Sequence, residues 1–309
     1  MNSKVKCFLV LLCLTGVLVF LRSHVLQRCS CVDQSCDCLE ISEDEQWFMK
    51  RFNKSVEPFL TAKHKLSEST FNWWKRLQSE KGSYDVYNKT VEELFQKCHP
   101  SHMKLSSYHS RTCAVVGNSG NLKGSRYGPL INYHDVVIRM NTGRVRGYEA
   151  DVGNKTTHHI MYPESAIDLD STTHLVLFPF KIMDFQWLTK ALTTGFYGRS
   201  YMPVRSKIKA NKDLVMVVSP SFMKYVHQTW LEGKGKYPST GFIAVVLALH
   251  ICDEIRVFGY GADKDGNWSH YWEKLANKHL RTGVHPGGQE YEIILKLSKQ
   301  LRIQFYTGW

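Results

Sequence analysis

The chain has 309 residues and no run of five or more Lys or Arg, although it carries 40 basic against 28 acidic residues and a formal charge of +12. Positive charge dispersed in this way does not make the basic stripe of a nucleic-acid binder. A nucleotide-sugar or an acidic glycan would fit the same charge. The sequence also lacks a G-x-G-x-x-G fingerprint and a Gly-Lys-Ser/Thr phosphate loop, which excludes two well-marked nucleotide cradles. No internal repeat or low-complexity tract occurs. Long apolar runs are nearly absent. The one near the start, Cys7–Leu21, has 15 residues, fewer than the roughly 17–25 of a spanning helix.

That run lengthens if Val5 and residues 24–26 are included, with Lys4, Lys6 and Arg22 as anchors. A cleaved signal peptide is the rival reading, but no clear small-x-small cleavage site follows. A retained type II signal anchor over 7–26 is expected, with a cytoplasmic tail over 1–6. A short span suits the thinner membranes of the early secretory path. Cysteine usage agrees with a luminal chain. Seven cysteines lie beyond the apolar run, four of them in "CSCVDQSCDC". In an oxidising lumen that cluster reads as a disulfide staple in preference to a metal site. Seven is odd, so at least one thiol stays free or pairs with another chain. Asn53, Asn88, Asn154 and Asn267 each open an N-x-Ser/Thr sequon, and four together favour the lumen.

Beyond a Cys-rich stem over 27–45, residues 46–309 read as the luminal domain. "DEQWFMKRFNKSVEPFLTAKHKL" and "STFNWWKRLQSEK" carry apolar residues at helical spacing, with Ser67 or Ser69 as a cap for the second. Trp73-Trp74 reads as core. From about residue 112 the pattern changes. The short apolar runs "CAVVG", "DVVIRMN", "THHIMY", "HLVLFPF", "LVMVVS", "IRVFGYG" and "RIQFY" alternate with helical stretches. Such alternation predicts an α/β fold with a mostly parallel sheet, whose ligands sit beyond the carboxyl ends of the strands.

Two segments lie where such a sheet would bind an anion. "CAVVGNSGNLKGSRYG", 113–128, is a buried strand running into a Gly/Asn/Ser turn. Backbone N–H groups in such a turn can face a phosphate, although a plain strand-turn has the same look. "YPSTGFIAVVLALHICDEIRVFGYGAD", 237–263, places Ser239 or Thr240 as the cap of an apolar helix with free N–H groups, or as an ordinary helix start. His250 in that helix reads as packed. "NWSHYWE" (267–273) and "GVHPGGQE" (283–290) each add a loop histidine able to act near neutral pH. Asp168-Leu-Asp170 has the spacing of a metal-binding Asp-x-Asp pair. It does not directly follow a strand, and it reads as coincidence.

In this order the four segments resemble the motifs of animal glycosyltransferase family 29, the sialyltransferases. Residues 113–157 look like the large motif and 237–259 like the small motif. His270-Tyr-Trp-Glu273 looks like the third motif and His285-x4-Glu290 like the very small motif. "YPSTG", "FGYGADKDGNW" and "HYWE" are similar to the beta-galactoside alpha-2,3 group acting on Galβ1-3GalNAc. The resemblance implies a GT-A-like variant fold with a single Rossmann-type sheet flanked by helices. It implies a CMP-sialic acid donor, no metal, a galactose-terminated glycoprotein or glycolipid acceptor, and a Golgi membrane location. It further implies a Cys113–Cys252 disulfide. Asn118, Ser119, Asn121, Asn141, Ser239, Thr240, Gly241, Gly259, Gly261 and Trp268 would form the donor site. Gln78, Tyr201 and Tyr237 would face the acceptor. His270 would stabilise the phosphate, and His285 would be the base, with Glu290 fixing the local loop.

Two departures qualify the resemblance. Relatives carry a cysteine just before the large motif, where "SYHSRTC" has Ser110, so Cys98 is expected to take that part. A glycan on Asn267 would crowd His270, so that sequon is expected to be poorly occupied. Three readings compete with the central one: another galactoside acceptor, a catalytically dead glycan-binding relative, and a metal-dependent galactosyltransferase using Asp168 and Asp170.

Overall fold

The computed structural model describes residues 29–32, 35–38, 42–63, 65–98, 110–274, 278–279 and 282–308. The expected tail and anchor, 1–6 and 7–26, lie outside the described residues. Among the described residues no helix is long and apolar enough to cross a membrane. The chain divides into two compact units, 1–52 and 53–309.

In the first unit β1 (Cys29–Val32) and β2 (Ser35–Cys38) form an antiparallel hairpin. Its backbone register sets Cys29 opposite Cys38 and Cys31 opposite Cys36. A helix follows over Glu43–Arg51, capped by the Ser42 hydroxyl. The helical pattern read through to residue 66 therefore breaks off early. Just beyond Arg51, Asn53 Oδ1 accepts the Ser55 N–H (3.0 Å) and hydroxyl (2.7 Å) in a local turn. Such side-chain bonds compete with helix continuation, and Pro58 supplies no donor to resume it.

The second unit is built on seven parallel strands in the order β7-β6-β5-β4-β3-β8-β9. They are β3 (Thr112–Val116), β4 (Val136–Met140), β5 (His158–Met161), β6 (His174–Leu177), β7 (Val215–Val217), β8 (Glu254–Phe258) and β9 (Gln304–Tyr306). The seven apolar runs of the sequence are these seven strands. The central ones are buried on both faces, which is why they read as continuous rather than alternating apolar runs. The helix Thr240–Ile251 buries ten of its twelve residues, as expected for one that is apolar all round. His250 is packed as expected, its ring edge-on to Phe222 and Tyr225. Trp74 is fully buried with its indole N–H on the Pro179 carbonyl. Ser67 caps the Glu68–Trp74 helix.

Cys113 and Cys252 are disulfide-bonded across 139 residues. Cys98 does not take the part of the missing cysteine at 110. Its thiol is free and buried, and burial pushes its pKa up to about 11.

Candidate active site

From β3 the chain winds outward through β4, β5, β6 and β7, then returns to the other side of β3 with β8 and β9. The reversal lies between β3 and β8, and ligands of open parallel sheets bind outside the carboxyl ends at such a point. The loops after these two strands pack against each other closely. A Cβ on Gly117 would overlap the Gly259 carbonyl oxygen, and Gly259 itself sits at φ +73°. Ser119 N–H donates to the Gly259 carbonyl at 3.0 Å, and its hydroxyl donates to Gly261 O at 2.6 Å. Asn121 is buried, with its amide donating to Tyr260 O at 2.7 Å. Strand ends leave carbonyls that need donors, and these two side chains supply them. Ser119 and Asn121 thus fix the shape of the expected donor loop, using their side chains on protein partners.

The third-motif loop joins the same floor. Ser119 and His270 form an isolated antiparallel bridge. Gly120 N–H donates to Ser269 O at 2.7 Å and Tyr271 N–H to Asn118 O at 3.1 Å. Glu273 holds His270 from two sides. One carboxylate oxygen accepts the His270 backbone N–H at 2.9 Å, and the other lies 2.9 Å from Nδ1. A carboxylate can only accept, so Nδ1 carries a proton and Nε2 is the free ring atom. Partial burial raises the Glu273 pKa, but the bonds from His270 outweigh it and the carboxyl lies below its ordinary value. Trp272 stacks on the imidazole at 4.6 Å.

Ser239, not Thr240, caps the Thr240–Ile251 helix, accepting the Phe242 N–H at 3.0 Å. Glu290 holds the cap in place. Its two oxygens accept the Ser239 N–H at 2.7 Å and hydroxyl at 2.6 Å. Burial pushes the Glu290 carboxyl up, opposed by the Ser239 bonds and by His285. Glu290 therefore fixes the start of the small-motif helix. Tyr260 donates to Gly241 O at 2.9 Å, tying the helix start to the β8 loop. Trp268 meets Tyr291 edge-on. At the end of β4, Asn141 takes φ +55°, a conformation Asn tolerates better than most residues. Its carbonyl is 2.7 Å from His159 Nε2; burial lowers that histidine to about 4, so the ring is neutral and donates.

His285 Nδ1 lies 3.0 Å from the Tyr237 carbonyl. The carbonyl can only accept, so Nδ1 carries a proton, and in the neutral ring the lone pair is on Nε2. An aromatic chain extends the wall: His285 against Tyr237 (4.9 Å), Tyr237 against Phe180 (4.9 Å), Phe180 against Tyr162 (6.0 Å). Lys181 follows Phe180. Its Nζ is 3.4 Å from Gln78 Oε1 and 5.4 Å from the Tyr201 ring centroid. The three residues assigned to the acceptor, Gln78, Tyr201 and Tyr237, are thus gathered around Phe180-Lys181. Glu164, Lys181 and Asp184 have no motif spacing that singles them out as a cluster. The one visible signal was Lys181-x-x-Asp184 at a helix start.

Asp168 and Asp170 lie at the amino end of β6, away from the strand ends that carry the site. Asp168 pairs with Arg205 (3.1 Å) and accepts the Lys209 N–H. Asp170 accepts from the backbone N–H and hydroxyl groups of Thr172 and Thr173. Among the sequons Asn53 and Asn154 are exposed, and Asn88 and Asn267 are half-buried. The Asn267 amide donates to the Asp263 carboxylate at 3.1 Å.

Comparison with known proteins agrees with this geometry. The family description "Glycosyltransferase family 29 (sialyltransferase)" matches residues 59–301. A Sus scrofa protein named CMP-N-acetylneuraminate-beta-galactosamide-alpha-2,3-sialyltransferase 1 is 44% identical over 295 residues, covering 93% of this chain and 84% of its own length. The Homo sapiens protein of the same name is 42% identical over 287 residues, covering 91% and 83%. A crystal structure of a mammalian sialyltransferase in complex with Gal-beta-1-3GalNAc-ortho-nitrophenol superposes with a TM-score of 0.80 at 44% identity, covering 91% of this chain and all of that one.

Proposed function

Because the chain belongs to glycosyltransferase family 29, the sialyltransferases, we propose that it transfers sialic acid from CMP-sialic acid to the 3-hydroxyl of terminal galactose in Galβ1-3GalNAc. The observation that carries the chemistry is the His285 tautomer. With Nδ1–H engaged by Tyr237 O, Nε2 accepts the proton of the acceptor hydroxyl as its oxygen attacks the anomeric carbon. The bond from that carbon to the CMP phosphate breaks, CMP leaves, and one displacement inverts the centre. No covalent intermediate is needed.

The leaving phosphate gains charge as the bond breaks. The N–H groups at the start of the Thr240–Ile251 helix and the His270 ring, backed by Glu273, stabilise it. Asn118 and Asn141 contact the donor, beside Gly259, Gly261 and Trp268. Gln78, Tyr201 and Tyr237 hold the galactoside. A monophosphate leaving group needs less countercharge than a diphosphate, so no metal enters the mechanism. Asp168 and Asp170 bond to loop residues at the amino end of β6. The reading includes a type II anchor at 7–26 and a catalytic unit in the Golgi lumen.

The test is transfer from CMP-sialic acid to Galβ1-3GalNAc-aryl by the luminal fragment, with EDTA and with His285→Ala alongside. Transfer that survives EDTA and collapses in the variant supports both class and base. A folded wild-type fragment inactive on this and on lactosamine acceptors would favour a glycan-binding relative without activity.

A further inference from the structure

The mechanism leaves one buried charged cluster unused. Lys181 Nζ lies 3.1 Å from Glu164 Oε1 and 3.0 Å from Asp184 Oδ1. All three side chains are nearly withdrawn from water, at 15%, 2% and 0% exposure. Burial alone would lower the lysine's pKa, but Asp184 and Glu164 hold its ammonium above the ordinary value. Each partner has a second task. Asp184 Oδ2 accepts the N–H groups of Phe180 (2.7 Å) and Lys181 (3.2 Å), fixing the turn that presents the lysine. Glu164 Oε1 also takes the Ser200 hydroxyl, beside Tyr201. The next residue, Ser165, has its hydroxyl 3.2 Å from Asn141 Oδ1.

We infer that Lys181, locked by Glu164 and Asp184, is a positioning residue that sets the orientation of the Gln78 amide and so the hydrogen-bonding sense of the acceptor site. An ammonium has three donors and no acceptor. The Gln78 atom facing it at 3.4 Å must therefore be the carbonyl oxygen. The amide NH2 is then turned away from Lys181 as a donor, suited to a neutral sugar hydroxyl or ring oxygen. Without the lysine the amide can flip, and the flipped orientation presents the wrong sign. This inference rests on Gln78 facing the acceptor. It adds that the selection is made one residue further back, by a charge that does not touch the sugar.

The experiment is a double-mutant cycle of Lys181→Met and Gln78→Met in the luminal fragment. KM for Galβ1-3GalNAc-aryl, KM for CMP-sialic acid and acceptor-free CMP release are measured, with thermal unfolding of each variant. Lys181→Met should raise the acceptor KM severalfold, up to about tenfold, which is the loss of the one neutral hydrogen bond made by the Gln78 amide. Donor KM and acceptor-free CMP release should stay within about twofold. In the Gln78→Met background the same change should add nothing. Should Lys181→Met not fold, Lys181→Met/Asp184→Asn removes the cation with one of its carboxylates and keeps the cap acceptor, and it replaces the single variant in the cycle. An acceptor KM that does not move, or an equal rise in the Gln78→Met background, overturns the inference. So does a parallel loss of donor KM and acceptor-free CMP release. A wild type that does not transfer to this acceptor but releases CMP condemns the acceptor reading instead, and that control separates the two failures.

Discussion

Ser239→Ala isolates the contact that joins the small-motif helix to the very small motif. The hydroxyl makes two bonds at once: it accepts the Phe242 N–H at 3.0 Å and donates to Glu290 at 2.6 Å. Losing the cap costs about 1 kcal/mol. Leaving one oxygen of a buried carboxylate without its donor costs roughly 1–3 kcal/mol more. The sum is roughly 2–4 kcal/mol, a large share of the roughly 5–15 kcal/mol that holds a domain together. Glu290→Gln keeps the Ser239 N–H bond and loses the second charge-assisted one, for roughly 1.5–3 kcal/mol. Because the two substitutions break one contact, their effects should fall short of adding in the double variant. Urea unfolding followed by tryptophan fluorescence, with slopes compared, reads the stability. Isothermal titration of CMP reads the helix start directly, and affinity should drop with stability. A Ser239→Ala protein within about 0.5 kcal/mol of wild type, or strict additivity with Glu290→Gln, would refute the linkage.

Gly117→Ala should abolish CMP binding and activity, because its Cβ would overlap the Gly259 carbonyl oxygen and force the two loops apart; retained CMP affinity in a titration would contradict that packing. Replacing Cys113 and Cys252 by Ala opens a loop spanning 139 residues, which the chain-entropy relation puts at about 5 kcal/mol; a fall of under about 1 kcal/mol in urea unfolding would count against it. His158 and His159 are held by burial at about 3 and about 4, below the ordinary 6.5. Both stay neutral in the fold and take protons in the unfolded chain. Their contribution is complete above pH 6.5 and is lost as pH falls toward 4, by about 1.4 kcal/mol per pH unit for each histidine. His158→Phe should remove about one such increment from the slope of stability against pH between 6.5 and 4.5; an unchanged slope would exclude His158 as an acid-sensitive group.

The sheet was readable because parallel strands buried on both faces are largely apolar, and the central strands β3, β4 and β5 are such strands. The helix Thr240–Ile251 was readable for the same reason. The stretch after Arg51 was misread because periodicity carries no information about a turn closed by Asn53 and Ser55. The site was legible as loops but only partly as side chains. A Gly/Asn/Ser turn at a strand end suits an anion cradle or a plain strand-turn, yet the hydroxyl of Ser119 and the amide of Asn121 are spent on the carbonyls of Gly261 and Tyr260. A backbone that offers N–H groups to a ligand must first satisfy its own carbonyls, so polar side chains of such a motif divide between ligand and loop, and sequence cannot divide them. Glu273 and Glu290 lay inside the quoted motifs, but their partners are a histidine ring and a helix cap. Glu164, Lys181 and Asp184 converge only because β5 and β6 are neighbours whose carboxyl ends open on the same side. The residues proposed to hold the donor lie in the motifs and are found by them. Glu164, Lys181 and Asp184 come from the ends of adjacent strands and are found by topology, which is why a charged cluster behind Gln78 left almost no trace in spacing.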